Sequence, residues 1–256
     1  MTALRCGVNA SHTVASDGMK RIYHSLRLPV DDYLAALQAA LPRVSVVPVL
    51  AIVVAAAASW WVYVPIHELC HAFGCLWTGG DVTRLEIDPF YGAALLRRFF
   101  PFVSVGSDYA GQLTGFDTHG NDLIYLATDV CPFLLTILIG VPLLQAARSQ
   151  RTPLRSAIML GVALPIAYAP FVSVTGDYYE MGSILVSRAA ALWSPSVALT
   201  RWRSDDAFKL AGQLFGATGD GSVGDAVGML GSLLVGIVLI FATYWLGACW
   251  SRLIVR

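Results

Sequence analysis

Two histidines four residues apart, in His67-Glu68-Leu69-Cys70-His71, have the spacing that lets one helix face present two imidazoles to a single metal ion. Zinc is the expected cofactor. The intervening Glu68 would then sit beside the coordination position left open, where its carboxylate can take a proton from metal-bound water. So short a pattern also arises by chance, and its setting gives it weight. It follows residues 44–64, a run without a single Asp, Glu, Lys or Arg. Ionisable groups at the end of such a run are costly and are kept where they serve a function.

A catalytic zinc ordinarily takes three protein ligands and leaves a fourth position free. After His71 the only further histidine is His119, between polar residues and next to Gly120, and it reads as a solvent-exposed loop residue. The chain has only three glutamates, Glu68, Glu86 and Glu180. Asp177 follows an apolar stretch directly after Gly176, which permits close backbone approach. Asp177 is the favoured third ligand and Glu180, one helical turn on, its main competitor. Asp129 is expected either to orient a histidine from behind or to face a helix-bundle interior. Cys6, Cys70, Cys75, Cys131 and Cys249 are odd in number and lack finger or disulfide spacing. They read as free thiols, with Cys70 a weak candidate ligand.

The elements that hold these residues must be largely membrane-embedded. Of 256 residues, 56% are hydrophobic and only 13% charged, about half the charge of an ordinary soluble domain. Net charge is zero and no basic stripe appears, so nucleic acid is not an expected partner. The expectation is an all-α polytopic membrane protein of about four transmembrane helices, possibly five, with a short β insertion after the motif helix. Residues 1–43 lack the compact apolar core of a signal peptide and form a polar or interfacial leader. Within it an amphipathic helix is expected to begin at Pro29, with Asp31 and Asp32 at its positive end. Residues 44–256 form the membrane-embedded domain.

Residues 44–64 are long enough to cross the hydrocarbon, with Trp60, Trp61 and Tyr63 as an interfacial belt. Pro65 is expected to kink this helix and leave His67 and His71 in a partly hydrated pocket. Asp81 to Asp88 alternate polar and apolar and read as a strand, closed by a turn at Pro89-Phe90-Tyr91-Gly92. Residues 93–122 read as a loop. Further spans are expected at residues 123–147, 154–174 and 226–250. Residues 184–199, with Arg188 and Pro195, read as interfacial. The first and third spans run the same way, so the motif and the Asp177 segment emerge on one side of the membrane. Lysines and arginines favour a cytosolic N-terminus by a small margin.

These residues resemble the site-2-protease family of membrane-embedded zinc metallopeptidases. The resemblance rests on His67-Glu68-Leu69-Cys70-His71, then Gly79-Gly80-Asp81-Val82, then Pro89-Phe90-Tyr91-Gly92, and on Asp177 beside Gly176, an order reversed from the family's aspartate-glycine pair. It covers residues 45–100 and 155–185. It implies that His67, His71 and Asp177 hold zinc, that Glu68 is general base and then proton donor, and that the substrate is a membrane-anchored protein cut in or near the bilayer. The strand from Val82 to Ile87 could hold such a substrate by edge pairing. Two other readings are a glutamate-liganded membrane zinc peptidase using Glu180, and a non-enzymatic membrane scaffold or transporter.

Overall fold

The structure, a computed structural model, describes residues 8–193 and 199–254. Cys6 and Pro195 lie outside the described residues. Helices predominate, and one small sheet interrupts them.

Helix α1 (Val8–Ala40) is followed by α2 (Val46–Trp77). At 1.5 Å per residue, the 32 residues of α2 extend about 48 Å, against about 30 Å of bilayer hydrocarbon. Its outward face is apolar throughout the first half, with Val46, Val47, Leu50, Val53 and Val54 exposed. The helix runs unbroken through Pro65, which makes the motif its direct continuation. Thr78 ends it, donating its hydroxyl to the Gly74 carbonyl at 2.7 Å. Gly79 then takes a left-handed φ of 97°, a backbone turn that suits glycine.

Strand β1 (Asp81–Ile87) follows at once, then a 3-10 turn (Pro89–Tyr91), the short helix α3 (Ala93–Leu96), β2 (Val103–Val105) and β3 (Gly111–Asp117). The sheet order is β2-β1-β3, with β2 parallel and β3 antiparallel to β1. Leu85 and Ile87 alternate inward and pack with Val103, Leu69, Ala72 and Ala93, so the sheet is fixed against the motif turns of α2. Residues 93–122 are therefore not an open loop. Val103–Val105 is too short to show a period, and Leu113 and Phe116 do not alternate within Gly111–Asp117; pairing with β1 stabilises both strands. It also follows that β1 is the central strand, flanked on both sides over Leu85–Ile87. The outer strands are β2 and β3.

Helix α4 (Asp122–Val130) starts at Asn121, whose side chain accepts from the Leu123 amide at 2.9 Å, an N-cap bond. Pro132 interrupts the helix. Short α5 (Phe133–Leu135), a π-helical turn (Thr136–Gly140) and α6 (Val141–Ala147) continue it at 47° to α4. The expected span at residues 123–147 is thus broken at Cys131-Pro132. Helices α7 (Pro153–Ala167) and α8 (Ala169–Val172) replace the expected continuous span at 154–174. Helix α9 (Asp177–Trp193) takes in most of the stretch read as interfacial, and α10 (Ala207–Phe215) and α11 (Val223–Ile254) complete the described chain.

Among the described residues, α2 and α11 are long and apolar enough to cross a membrane, and the bent α4–α6 pair makes a third candidate if taken as one span. The core of the bundle lies where α1, α6, α7 and α11 meet, around Leu144, Leu160 and Tyr244. Asp32 does not open a helix as expected, because α1 begins well before it. It is buried mid-helix, accepting from Gln145 Nε2 at 2.7 Å and from the Tyr244 hydroxyl at 3.1 Å. These bonds satisfy its carboxylate inside the bundle and tie α1 to α6 and α11.

Candidate metal centre

His67 and His71 lie one above the other on α2, and Asp177 opens α9 opposite them. The two Nε2 atoms are 3.2 Å apart. Asp177 Oδ2 stands 3.5 Å from His67 Nε2, and Oδ1 stands 3.7 Å from His71 Nε2. Tetrahedral ligands at 2.0–2.1 Å from a zinc ion lie about 3.3 Å from one another, so these donors are already spaced for one ion. Among the described residues, His67, His71 and Asp177 are the one group of three potential ligands brought within 4.8 Å of one another.

The atoms behind the ligands point them inward. The Thr128 carbonyl lies 3.0 Å from His71 Nδ1. A carbonyl can only accept, so Nδ1 carries the hydrogen and the Nε2 lone pair faces the centre. The Tyr63 hydroxyl, one turn before His67 on α2, is 2.8 Å from His67 Nδ1. Phe133 meets the same imidazole edge to face at 5.4 Å. Ser173 donates its hydroxyl to Asp177 Oδ2 at 2.6 Å and accepts from the Asp177 amide at 3.3 Å. Two oriented imidazoles, that of His71 held in the ligating tautomer, and one hydrogen-bonded carboxylate make a donor set that fits zinc.

Glu68 projects into the same cavity, about 770 Å³ in volume, which the three ligands also line. Gly111, at the start of β3, lies against its side chain. A β-carbon there would come within 2.4 Å of Glu68 Cγ. The edge of β3 forms a wall of the cavity through Gly111, Gln112, Leu113 and Phe116. Gln112 Nε2 donates across it to Asp205 at 2.5 Å.

The remaining candidates separate clearly. Glu180 is buried and accepts from the Tyr125 hydroxyl rather than joining the three ligands. Asp129 is buried on α4 and bonds to neither histidine; the carbonyl of its neighbour Thr128 orients His71 instead. Cys70 lies outside the ligand group and faces Cys131. His119 is half exposed, between Asp81 at 3.4 Å and Asp117 at 3.6 Å.

Several supporting residues escape a reading of the sequence. Tyr63 precedes His67 by four residues on α2, a spacing that places the two on the same helical face and is the available signal; Ser173 reaches Asp177 across the turn between α8 and α9. Gly111 and the Thr128 carbonyl give no local signal, because their partners lie far away in sequence. Comparison with protein-family models, curated proteins and solved structures finds no match to this chain.

Proposed function

We propose that this chain is a membrane-embedded zinc metallopeptidase that hydrolyses peptide bonds of membrane-anchored proteins in or near the bilayer. One observation carries the reading: His67, His71 and Asp177 converge within 4.8 Å in the cavity that also receives Glu68. When bound, zinc would polarise the scissile carbonyl and acidify water. Glu68 accepts the proton of the attacking water at a carboxylate oxygen and returns it to the leaving amine nitrogen. Thr128 and Tyr63 keep the imidazoles oriented, and Ser173 holds the Asp177 carboxylate. The free edge of β3 at the cavity wall offers backbone groups to an extended substrate.

On this reading the chain crosses the bilayer four times, through α2, the bent α4–α6, α7 with α8, and α11, with a cytosolic N-terminus. About twenty residues of helix span the hydrocarbon. Counted from Val46 this reaches Pro65, so the motif lies at the far boundary, where water can be recruited.

The test is zinc content and proteolysis of the detergent-purified protein. About one zinc per chain is expected from one complete ligand set, with loss in His67→Ala and Asp177→Ala. Glu68→Gln should keep the metal and lose cleavage of a membrane-anchored reporter. Zinc retained without Asp177 would move the third ligand to Glu180 or elsewhere. Metal-free wild-type protein, even after zinc supplementation, would leave a membrane scaffold as the better reading.

A further inference from the structure

The cavity continues past the metal ligands to acids for which the proposed reaction has no use. Asp129 from α4 and Glu180 from α9 both line it, at 3% and 7% exposure. Connectivity keeps them close to the centre. Thr128, whose carbonyl takes the His71 hydrogen, immediately precedes Asp129. Glu180 follows Asp177 by three residues on α9, about 4.5 Å along the axis. They also converge on each other: Asp129 lies four residues after Tyr125 on the same face of α4, and the Tyr125 hydroxyl donates to Glu180.

The hydrogen bonding of Asp129 is incomplete. Asp129 Oδ2 is buried and has no donor among the described residues. A buried carboxylate without a donor or counter-charge is strongly unfavourable. The cations on the same wall leave Asp129 Oδ2 without a partner. Arg203 makes two bonds to Asp122, at 2.8 and 2.7 Å, while its buried Nε has no acceptor among the described residues, and Lys209 is exposed. A second metal ion is poorly served, because among the described residues no third His, Cys, Asp or Glu joins these two as a ligand group.

We propose, resting on the peptidase reading, that Asp129 and Glu180 form a subsite for a cationic group of the substrate, one or two residues from the scissile bond. The group is an ammonium or guanidinium, carried by a Lys or Arg side chain or by a free amino terminus. An extended chain advances about 3.3–3.6 Å per residue, so the axial rise of about 4.5 Å from Asp177 to Glu180 falls between one residue and two. A bound cation supplies the donor that Asp129 Oδ2 lacks, as a charge-assisted hydrogen bond.

The test has a binding arm and a cleavage arm. Agmatine and n-butylammonium, with neutral n-butanol as control, are titrated by calorimetry into zinc-loaded Glu68→Gln protein. The cations should bind and the alcohol should not. Adding Asp129→Asn or Glu180→Gln should weaken cation binding by about tenfold or more, the scale of one charge-assisted bond. No cation binding, or binding unchanged by both substitutions, overturns the subsite. If Asp129→Asn loses its zinc, Glu180→Gln carries the comparison.

In the cleavage arm, a mixture of defined peptides is digested by the protein with Glu68 intact and the products are read by mass spectrometry. Side-chain recognition puts Lys or Arg at one fixed position from each cut. Amino-terminal recognition puts cuts at a fixed distance from the peptide start and is abolished by N-acetylation. Either preference should vanish in Asp129→Asn. Cation binding that needs Asp129, with no peptide cut, leaves the subsite standing and removes the peptidase reading. Glu68-dependent cutting without cation preference, and cation binding indifferent to Asp129, does the reverse.

Discussion

Gly111 opens β3 directly against the side chain of Glu68, and alanine at this position tests the placement of the proposed base without touching a metal ligand. The added β-carbon would stand 2.4 Å from Glu68 Cγ, 2.8 Å from Cδ and 3.3 Å from Oε1. Ordinary contact begins at 3.4 Å, so Cγ must retreat by 3.4 − 2.4 = 1.0 Å. The obstructed atoms belong to a flexible side chain, which can yield by rotation at about 0.5–1.5 kcal/mol of torsional strain. Catalysis is less forgiving, since a misplacement of about 1 Å costs about 10²-fold, or ~2.7 kcal/mol at the barrier. Gly111→Ala should therefore keep its zinc and melt within a few degrees of the parent, while kcat/KM on a membrane-anchored reporter falls about a hundredfold. Zinc content, a melting curve in detergent and reporter kinetics from one preparation decide the matter. Parental kcat/KM would show that Glu68 need not occupy this position during the reaction. Loss of zinc would show that β3 supports the ligands and not the base.

Two further substitutions probe the frame around the site. Tyr63→Phe removes the hydroxyl 2.8 Å from His67 Nδ1 and should weaken zinc binding by about 10–100-fold in competition with a chelator; an unchanged affinity would mean that packing alone orients His67. Gly182→Ala would place a β-carbon 2.1 Å from the Ser232 carbonyl oxygen and 3.0 Å from the Gly236 amide nitrogen. Backbone cannot rotate away, so α9 and α11 must part, at a cost of about 1–3 kcal/mol or more. A melting temperature equal to the parent's would contradict the close crossing of these helices.

The helical placement of the site is legible in the sequence because it depends on short-range periodicity. The apolar run before His67 and the four-residue spacing to His71 specify a helix with two imidazoles on one face. The alternation from Asp81 onward specifies a strand. Elsewhere distant contacts outweigh local pattern. Asp32 resembles a helix-opening acid, yet Gln145 and Tyr244 satisfy it in the middle of α1. The apolar stretch through Cys131 and Pro132 looks like one span, but the helix bends there by 47°. Val103–Val105 and Gly111–Asp117 carry too little pattern to announce themselves, and β1 supplies their hydrogen bonds.

By itself, then, the sequence determined an apolar, largely helical chain, the zinc-ligand spacing of His67 and His71, and a short roster of carboxylates that could complete the set. Local geometry sufficed for these, because helix and strand periods are properties of neighbouring residues. Tertiary structure decided which carboxylate meets the imidazoles, which strand has a free edge at the cavity, and that Gly111 makes room for Glu68. Those choices depend on how α2, α4, α9 and the sheet pack. They bring together atoms more than forty residues apart, whose attraction or exclusion no sequence window contains.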